Sequence, residues 1–306
     1  MSGIQEALEK VAVGDPAAIA SFGMERRLSS GRRSQSADVF EWEQRLLLTG
    51  QGLARTVSHR SLGDRGGEET GTYQTVFPQD FVQRTAAAVL TSGILQYDPG
   101  HIEPGDMMIR YRFGALGEVR ECFLSMDQVP GPEAIRIFER VITRMDVEVR
   151  KFPLRTLRLE CDLPDIPKAG RRTRIPATLR LVNRGIQGHW ILNPAAMQPD
   201  GVLERRYVTW ARRQTPQPGI TPLPSVFVFG PLEPSPVEKD PDKTMLWLAP
   251  EATVEVPCTA MVNFPEPGEY FFKSAYSTFA GEQTYQGQAR WIGAAFSQAQ
   301  TLTVRG

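Results

Sequence analysis

"FPEPGEYFFKSAY" (Phe264–Tyr276) is the stretch whose reading decides how the second half of this chain folds. Pro267-Gly268 turns the backbone, an aromatic follows, and the residues then alternate as a strand does. Tyr270, Phe272 and Ser274 share one face, while Phe271, Lys273 and Ala275 take the other, which the lysine marks as the wetter one. Two readings compete: a loop that displays aromatics, or a corner of β-structure that buries them.

The surroundings favour the corner. From Leu154 onward helix signals nearly vanish and short alternating runs separated by turns take over. "LRTLRLECDL" (154–163) alternates, and the next strand sets Ile175, Ala177, Leu179 and Leu181 on one face. "HWILN", "RRYVTWARR", "TMLWLAPEATVEVPCTAMVNF" and "SQAQTLTVRG" supply the rest. Between 214 and 243 the chain carries eight prolines, which cannot donate regularly to a ladder, so this segment is a long loop or edge excursion.

Residues 154–306 thus resemble a bacterial immunoglobulin-like β-sandwich module. The resemblance rests on "LRLVNRG" as a second strand with its exit turn, on Trp190 as a third-strand core tryptophan, and on "EPGEYFF" as the sixth-strand entry. It implies that Tyr270 is a structural corner, its hydroxyl bonding back to upstream backbone. Where antibody domains have a cysteine this chain has Phe272, so packing alone, with no disulfide, would join the sheets.

The first half alternates helix and strand signals. Ile4, Ala7, Leu8 and Val11 mark one stripe of a short helix, and with the polar "SSGRRSQSAD" they make residues 1–37 an N-terminal helix and flexible lead-in. Residues 38–150 read as β, β, β, α, β, β, α, an α+β domain with an antiparallel sheet and helices on one face. Phe40, Trp42, Leu46 and Leu48 share one strand face; Ile109, Tyr111 and Phe113 share another, opposite Met108, Arg110 and Arg112. Gly93 is placed to end one helix, and Ile135, Phe138, Ile142 and Met145 stripe the last. The element order of residues 78–145 resembles emfourin-like inhibitors of bacterial metalloproteases, which implies binding without catalysis. The same order also accommodates a β-grasp-like domain.

The fold class expected is therefore an α+β domain followed by an all-β immunoglobulin-like sandwich, with Pro153 at the boundary.

Composition narrows the function. An apolar fraction of 41% and a charged fraction of 23% are those of a globular chain. Lys+Arg and Asp+Glu balance at 35 each, which gives no overall basic field for nucleic acid and no long-range pull on an anionic membrane. Arg26-Arg27, Arg32-Arg33 and Arg171-Arg172 read as short solvated clusters. Cys122, Cys161 and Cys258 are too widely spaced for a disulfide framework or a CxxC metal pair, and read as buried hydrophobes. Charges at Glu6, Glu9 and Lys10 argue against a secretory leader, and no run suffices for a membrane span, so the location expected is cytoplasmic.

No reaction can be read from the motifs. His59, His101 and His189 are far apart and outside any HExxH pattern. His101 has Asp98, Glu103 and Asp106 nearby, but their spacing does not match a calcium loop, and they read as a solvated turn. There is no G-x-S-x-G and no dinucleotide fingerprint, so neither a catalytic residue, a cofactor nor a metal is assigned. Most tryptophans, Trp42, Trp190, Trp210, Trp247 and Trp291, read as core. Phe227, Phe229, Phe279 and Tyr285 fall in loops and are the candidate partner-binding residues, although Phe227 and Phe229 could equally fold back as a strand over the core. The function expected is a non-catalytic protein-interaction or adaptor module whose partner is another protein. A protease inhibitor and a hydrolase with an inter-domain site are the alternatives.

Overall fold

The computed structural model describes residues 3–30, 44–59, 70–97, 107–125, 133–163, 168–197, 204–212, 228–234, 244–278 and 283–306. Phe227, Phe279, His101, Phe40, Trp42 and Arg32-Arg33 lie outside them. Contacts gather into two compact units, Met1–His59 with Thr72–Leu154, and Arg60–Gly71 with Arg155–Gly306.

The first unit begins with helices α1 (Gly3–Val13) and α2 (Pro16–Ser21). Ile4, Ala7, Leu8 and Val11 form the buried stripe of α1. α2 starts at Pro16 after an Asp15 cap, whose Oδ1 accepts the Ala18 N–H at 2.8 Å. Then come strands β1 (Gly23–Ser30), β2 (Gln44–Thr49), β3 (Leu53–Ser58) and β4 (Thr70–Val76), helix α3 (Gln79–Ser92), strands β5 (Met107–Ala115) and β6 (Glu118–Ser125), and helix α4 (Glu133–Val149). Gly93, left-handed at φ 74°, ends α3.

β1 pairs antiparallel with β2 on one side and β5 on the other, so it lies inside the sheet. The segment read as a lead-in thus supplies an interior strand, because "GMERRL" alternates Met24, Arg26 and Leu28 onto the buried face. Arg26 disguises that alternation. It is 7% exposed, not solvated, and it ion-pairs with Glu139 of α4 at 3.1 Å. Around it Leu46, Ile109, Tyr111 and Phe113 are buried, and the Tyr111 and Phe113 rings pack on Phe138 of α4.

The second unit holds β7 (Pro153–Asp162), β8 (Gly170–Val182), β9 (His189–Leu192), β10 (Glu204–Arg212), β11 (Val228–Pro234), β12 (Met245–Leu248), β13 (Thr253–Phe264), β14 (Gly268–Thr278), β15 (Thr284–Tyr285), β16 (Gln288–Ala289), β17 (Gly293–Phe296) and β18 (Gln300–Val304). β11 changes partner part-way: Val228–Pro231 pair with β10, and Leu232–Pro234 with β13. That exchange lets β7, β8 and β13 share one core with β10, β14, β17 and β18, built on Leu179, Leu181, Val208, Leu232, Phe264 and Phe272. Ile175 and Ala177 are buried beside Leu179 and Leu181, the face their alternation gives them.

The pairing overturns the two-domain reading of an α+β domain followed by an immunoglobulin-like β-sandwich. Strands from both halves belong to one continuous 14-stranded sheet, ordered β17-β14-β10-β11-β13-β8-β7-β4-β3-β2-β1-β5-β6, with β18 also on β14. No separate immunoglobulin-like sandwich occupies 154–306. Nor do residues 78–145 form a protease-inhibitor module, since β5 is hydrogen-bonded to β1, which lies outside that interval. Alternation and turn chemistry identify strands and their faces but not which strands share an edge. Pro153 misleads for a related reason: proline is accommodated as the first residue of a strand, and here it opens β7.

Among the described residues no helix is long and apolar enough to cross a membrane.

Candidate functional site

The most exposed aromatic grouping in the described residues is built on a small ribbon in the second unit. β9 and β12 form a two-stranded sheet of their own that sets Trp190 directly opposite Trp247, with one isolated bridge from Trp190 to Arg290. Their ring centroids lie 5.3 Å apart at 64°, an edge-on contact. Tyr285 approaches the same indole edge-on, at 5.1 Å and 73°. Trp247 is 40% and Tyr285 37% exposed, with Trp190 half-buried between them.

Local sequence explains how each ring is held. Tyr285 sits on the β15–β16 hairpin, whose two-residue turn, Gln286 at φ 50° and Gly287 at φ 73°, needs the left-handed backbone that glycine provides. The hairpin's exit is tied down where the Trp291 N–H donates to the Trp190 carbonyl at 2.8 Å. Trp247 lies against the backbone of Gly188, where a Cβ would stand 2.3 Å from its Cζ2. Only glycine permits that approach.

Asn183, fully buried, fixes the turn between β8 and β9. Its Oδ1 accepts the N–H of Thr156 at 3.2 Å and of Gly185 at 2.9 Å. Its Nδ2 donates to the carbonyls of Gln187 at 2.9 Å and Ala249 at 3.0 Å. One side chain thereby ties the turn that carries Gly188 to the end of β12 that carries Trp247. The Tyr276 hydroxyl, donating to the Leu192 carbonyl at 2.7 Å, anchors the far end of β9.

Of the candidate partner-binding residues, Tyr285 belongs to this grouping. The backbone of Phe229 is in β11, paired with Thr209, and Phe227 and Phe279 lie outside the described residues. Tyr270 is buried, and its hydroxyl donates to the Glu266 carbonyl at 2.9 Å across the Pro267-Gly268 turn. Trp210 and Trp291 are core residues, but Trp190 and Trp247, read from sequence as core, instead make the half-open grouping. The available signal was "MLWLAP": a four-residue strand cannot cover a tryptophan on both sides.

His189, Cys122, Cys161 and Tyr111 are buried side chains that could in principle take part in acid–base or nucleophilic chemistry. His189 is 1% exposed, and neither ring nitrogen has a hydrogen-bond partner among the described residues. Burial, and after it the nearby Arg155 charge, hold its pKa down to about 4, so the imidazole is neutral at pH 7. Burial pushes the Cys161 thiol up to about 11 and the Cys122 thiol upward too, the reverse of what a nucleophile needs. Tyr111, fully buried, donates to Glu139, and burial followed by that carboxylate raises its pKa well above the ordinary value. Asp146 of α4 accepts from Gln44 at 2.6 Å, Thr56 at 2.7 Å and Arg150 at 2.9 Å, which ties the helix to the sheet. Among the described residues no three His, Cys, Asp or Glu side chains gather as a metal site.

No protein-family model matches the chain, and no curated protein matches it.

Proposed function

We propose that this chain is a non-catalytic interaction module and that another protein seats on the Trp190–Trp247–Tyr285 face. One observation carries the reading: two large aromatics stand more than a third exposed on either side of a third, each held in place by backbone. Interface cores are enriched in tryptophan and tyrosine, and rigid aromatics lose little side-chain freedom on binding. The paired ribbon and the left-handed hairpin turn supply that rigidity before a partner arrives. A cytoplasmic location belongs to the proposal, since the buried thiols of Cys122 and Cys161, neither in a disulfide, suit a reducing compartment. No observation favours the inhibitor or the hydrolase.

The test compares tagged wild-type chain with the Trp247→Ala/Tyr285→Ala double variant as bait in lysate of the native host. Both residues are more than a third exposed, so the variant is expected to fold, with an unchanged circular-dichroism spectrum and a modestly lowered melting temperature. A protein retained by the wild type and lost by the variant is the expected result. Identical sets of captured proteins, at low and at physiological salt, would remove the reading.

A further inference from the structure

The face of the first unit's sheet opposite α4 carries a lateral row of arginines. The registers place Val57, Arg45, Arg27, Arg110 and Phe123 side by side across β3, β2, β1, β5 and β6. The next row is Arg55, Leu47, Glu25, Arg112 and Glu121. Together the two rows hold five arginines against two glutamates, a surplus of three positive charges in a protein whose overall charge is zero. The arginine side chains are accessible: Arg27 is 30%, Arg45 31% and Arg110 39% exposed.

Three arginines directly opposite one another on adjacent strands repel, and like charges at such positions weaken a sheet. Two acids within the same rows pair with these arginines. The Glu25 carboxylate serves both Arg27 and Arg45, and although burial pushes its pKa up, those guanidiniums together hold it below the ordinary value. Glu121 pairs with Arg110 at 2.5 Å. Among the described residues Arg55 pairs with the neutral side chain of Gln74, at 2.6 and 3.0 Å. Arg112 is exposed.

We propose that these two rows form a second binding surface, whose ligand is an acidic segment of a protein with carboxylates interspersed among apolar side chains. Guanidinium forks match carboxylates in a bidentate fashion. The half-buried Leu47, beside Arg55, and Val57, beside Arg45, would accept apolar side chains from the same segment. Single-stranded nucleic acid fits less well. Glu25 stands in the middle of the path a phosphate chain would take, and binding of single strands relies on open aromatic platforms for the bases. The aromatic of the two rows, Phe123, is half-buried with the Arg110 guanidinium 6.0 Å from its ring centroid.

The experiment uses the full chain, with fluorescence anisotropy of a labelled poly-glutamate peptide and, separately, of a labelled oligothymidylate. Three variants are compared: Arg27→Ala/Arg110→Ala on the sheet face, Arg112→Glu as an independent single change there, and Arg136→Ala/Arg140→Ala on the exposed side of α4. The first and third remove the same charge, so a difference between them reports position. The peptide is expected to bind the wild type and the α4 variant alike, and both face variants about tenfold more weakly, with affinity falling as salt rises. Arg112 is exposed, so its replacement serves even where the double variant on the face fails to fold. Peptide binding that is absent, or equal in the face and α4 variants, overturns the proposal. Tighter binding of the oligothymidylate also overturns it, and would assign the surface to nucleic acid.

Discussion

Trp190 and Trp247 are direct cross-strand partners, one on each strand of a two-stranded ribbon, with their rings in edge-on contact at 5.3 Å. A ribbon of two short strands has little stability of its own, so its geometry depends on what anchors its ends. The anchors are the glycine beneath Trp247 and the asparagine behind the turn.

Gly188→Ala tests the first anchor. The added methyl would stand 2.3 Å from Trp247 Cζ2, so the indole must leave its seat. The expected outcome is a red-shifted, more quenchable tryptophan emission and a stability loss of about 1–3 kcal/mol. Binding to any partner captured through Trp247 should fall as far as in Trp247→Ala. Unchanged emission would show that Trp247 does not rest on this backbone.

Asn183→Ala tests the second. Removing the side chain leaves the buried N–H groups of Thr156 and Gly185 without their acceptor and the part-buried carbonyls of Gln187 and Ala249 without their donor. Buried groups left without partners cost about 1–3 kcal/mol each, so a loss of about 3 kcal/mol in urea unfolding is expected even if water replaces some of the bonds. Asn183→Asp keeps the acceptor and loses the donor. It should fall between the two, with the Gly185 end of the turn retained and the Ala249 end released.

His189 makes stability depend on pH. Its folded pKa, about 4, lies below the ordinary histidine value of 6.5, because burial, and then Arg155, penalise the imidazolium. Below about 6.5 the unfolded chain takes up a proton that the folded chain refuses. The stabilisation is therefore complete above 6.5 and is lost as pH falls toward 4, by about 3 kcal/mol in all. His189→Leu should lack this component. The difference between wild-type and variant unfolding free energies, measured from pH 7.5 to 4, is expected to change across that window; a flat difference would place the ring in a wetter setting.

Much of the local structure was legible in the sequence, and the long-range pairing was not. Ile175, Ala177, Leu179 and Leu181 show why: a face is a property of one strand, and alternation reveals it. β1 failed to stand out because Arg26 occupies a buried position that alternation assigns to an apolar residue, and its compensating acid, Glu139, lies on a helix far along the chain. The strand exchange at β11 was hidden among prolines that sequence alone reads as breakers. Tyr285 was legible because it sits in a glycine turn, whereas Trp190 and Trp247 needed the knowledge that β9 and β12 form a separate two-stranded ribbon.

The Arg26–Glu139 pair gives the sharpest test of β1 as an interior strand. Arg26 is 9% and Glu139 19% exposed in their side chains, and the pair sits beside fully buried Tyr111. Truncating one member of such a pair leaves a charge in a poorly hydrated site. Glu139→Ala is therefore expected to cost about 3 kcal/mol, with Glu139→Gln intermediate because its oxygen can still accept from Arg26 or Tyr111. Removing both charges together is a different matter, since a buried ion pair replaced by apolar groups of similar size is often neutral or stabilising. Arg26→Met combined with Glu139→Leu should thus recover most of the loss caused by Glu139→Ala. The coupling is read from a double-mutant cycle in urea, using Arg26→Met, Glu139→Leu and the double variant. A solvated Arg26 in a peripheral lead-in would show additive effects near zero, so strong coupling is the outcome that separates an interior β1 from a surface one.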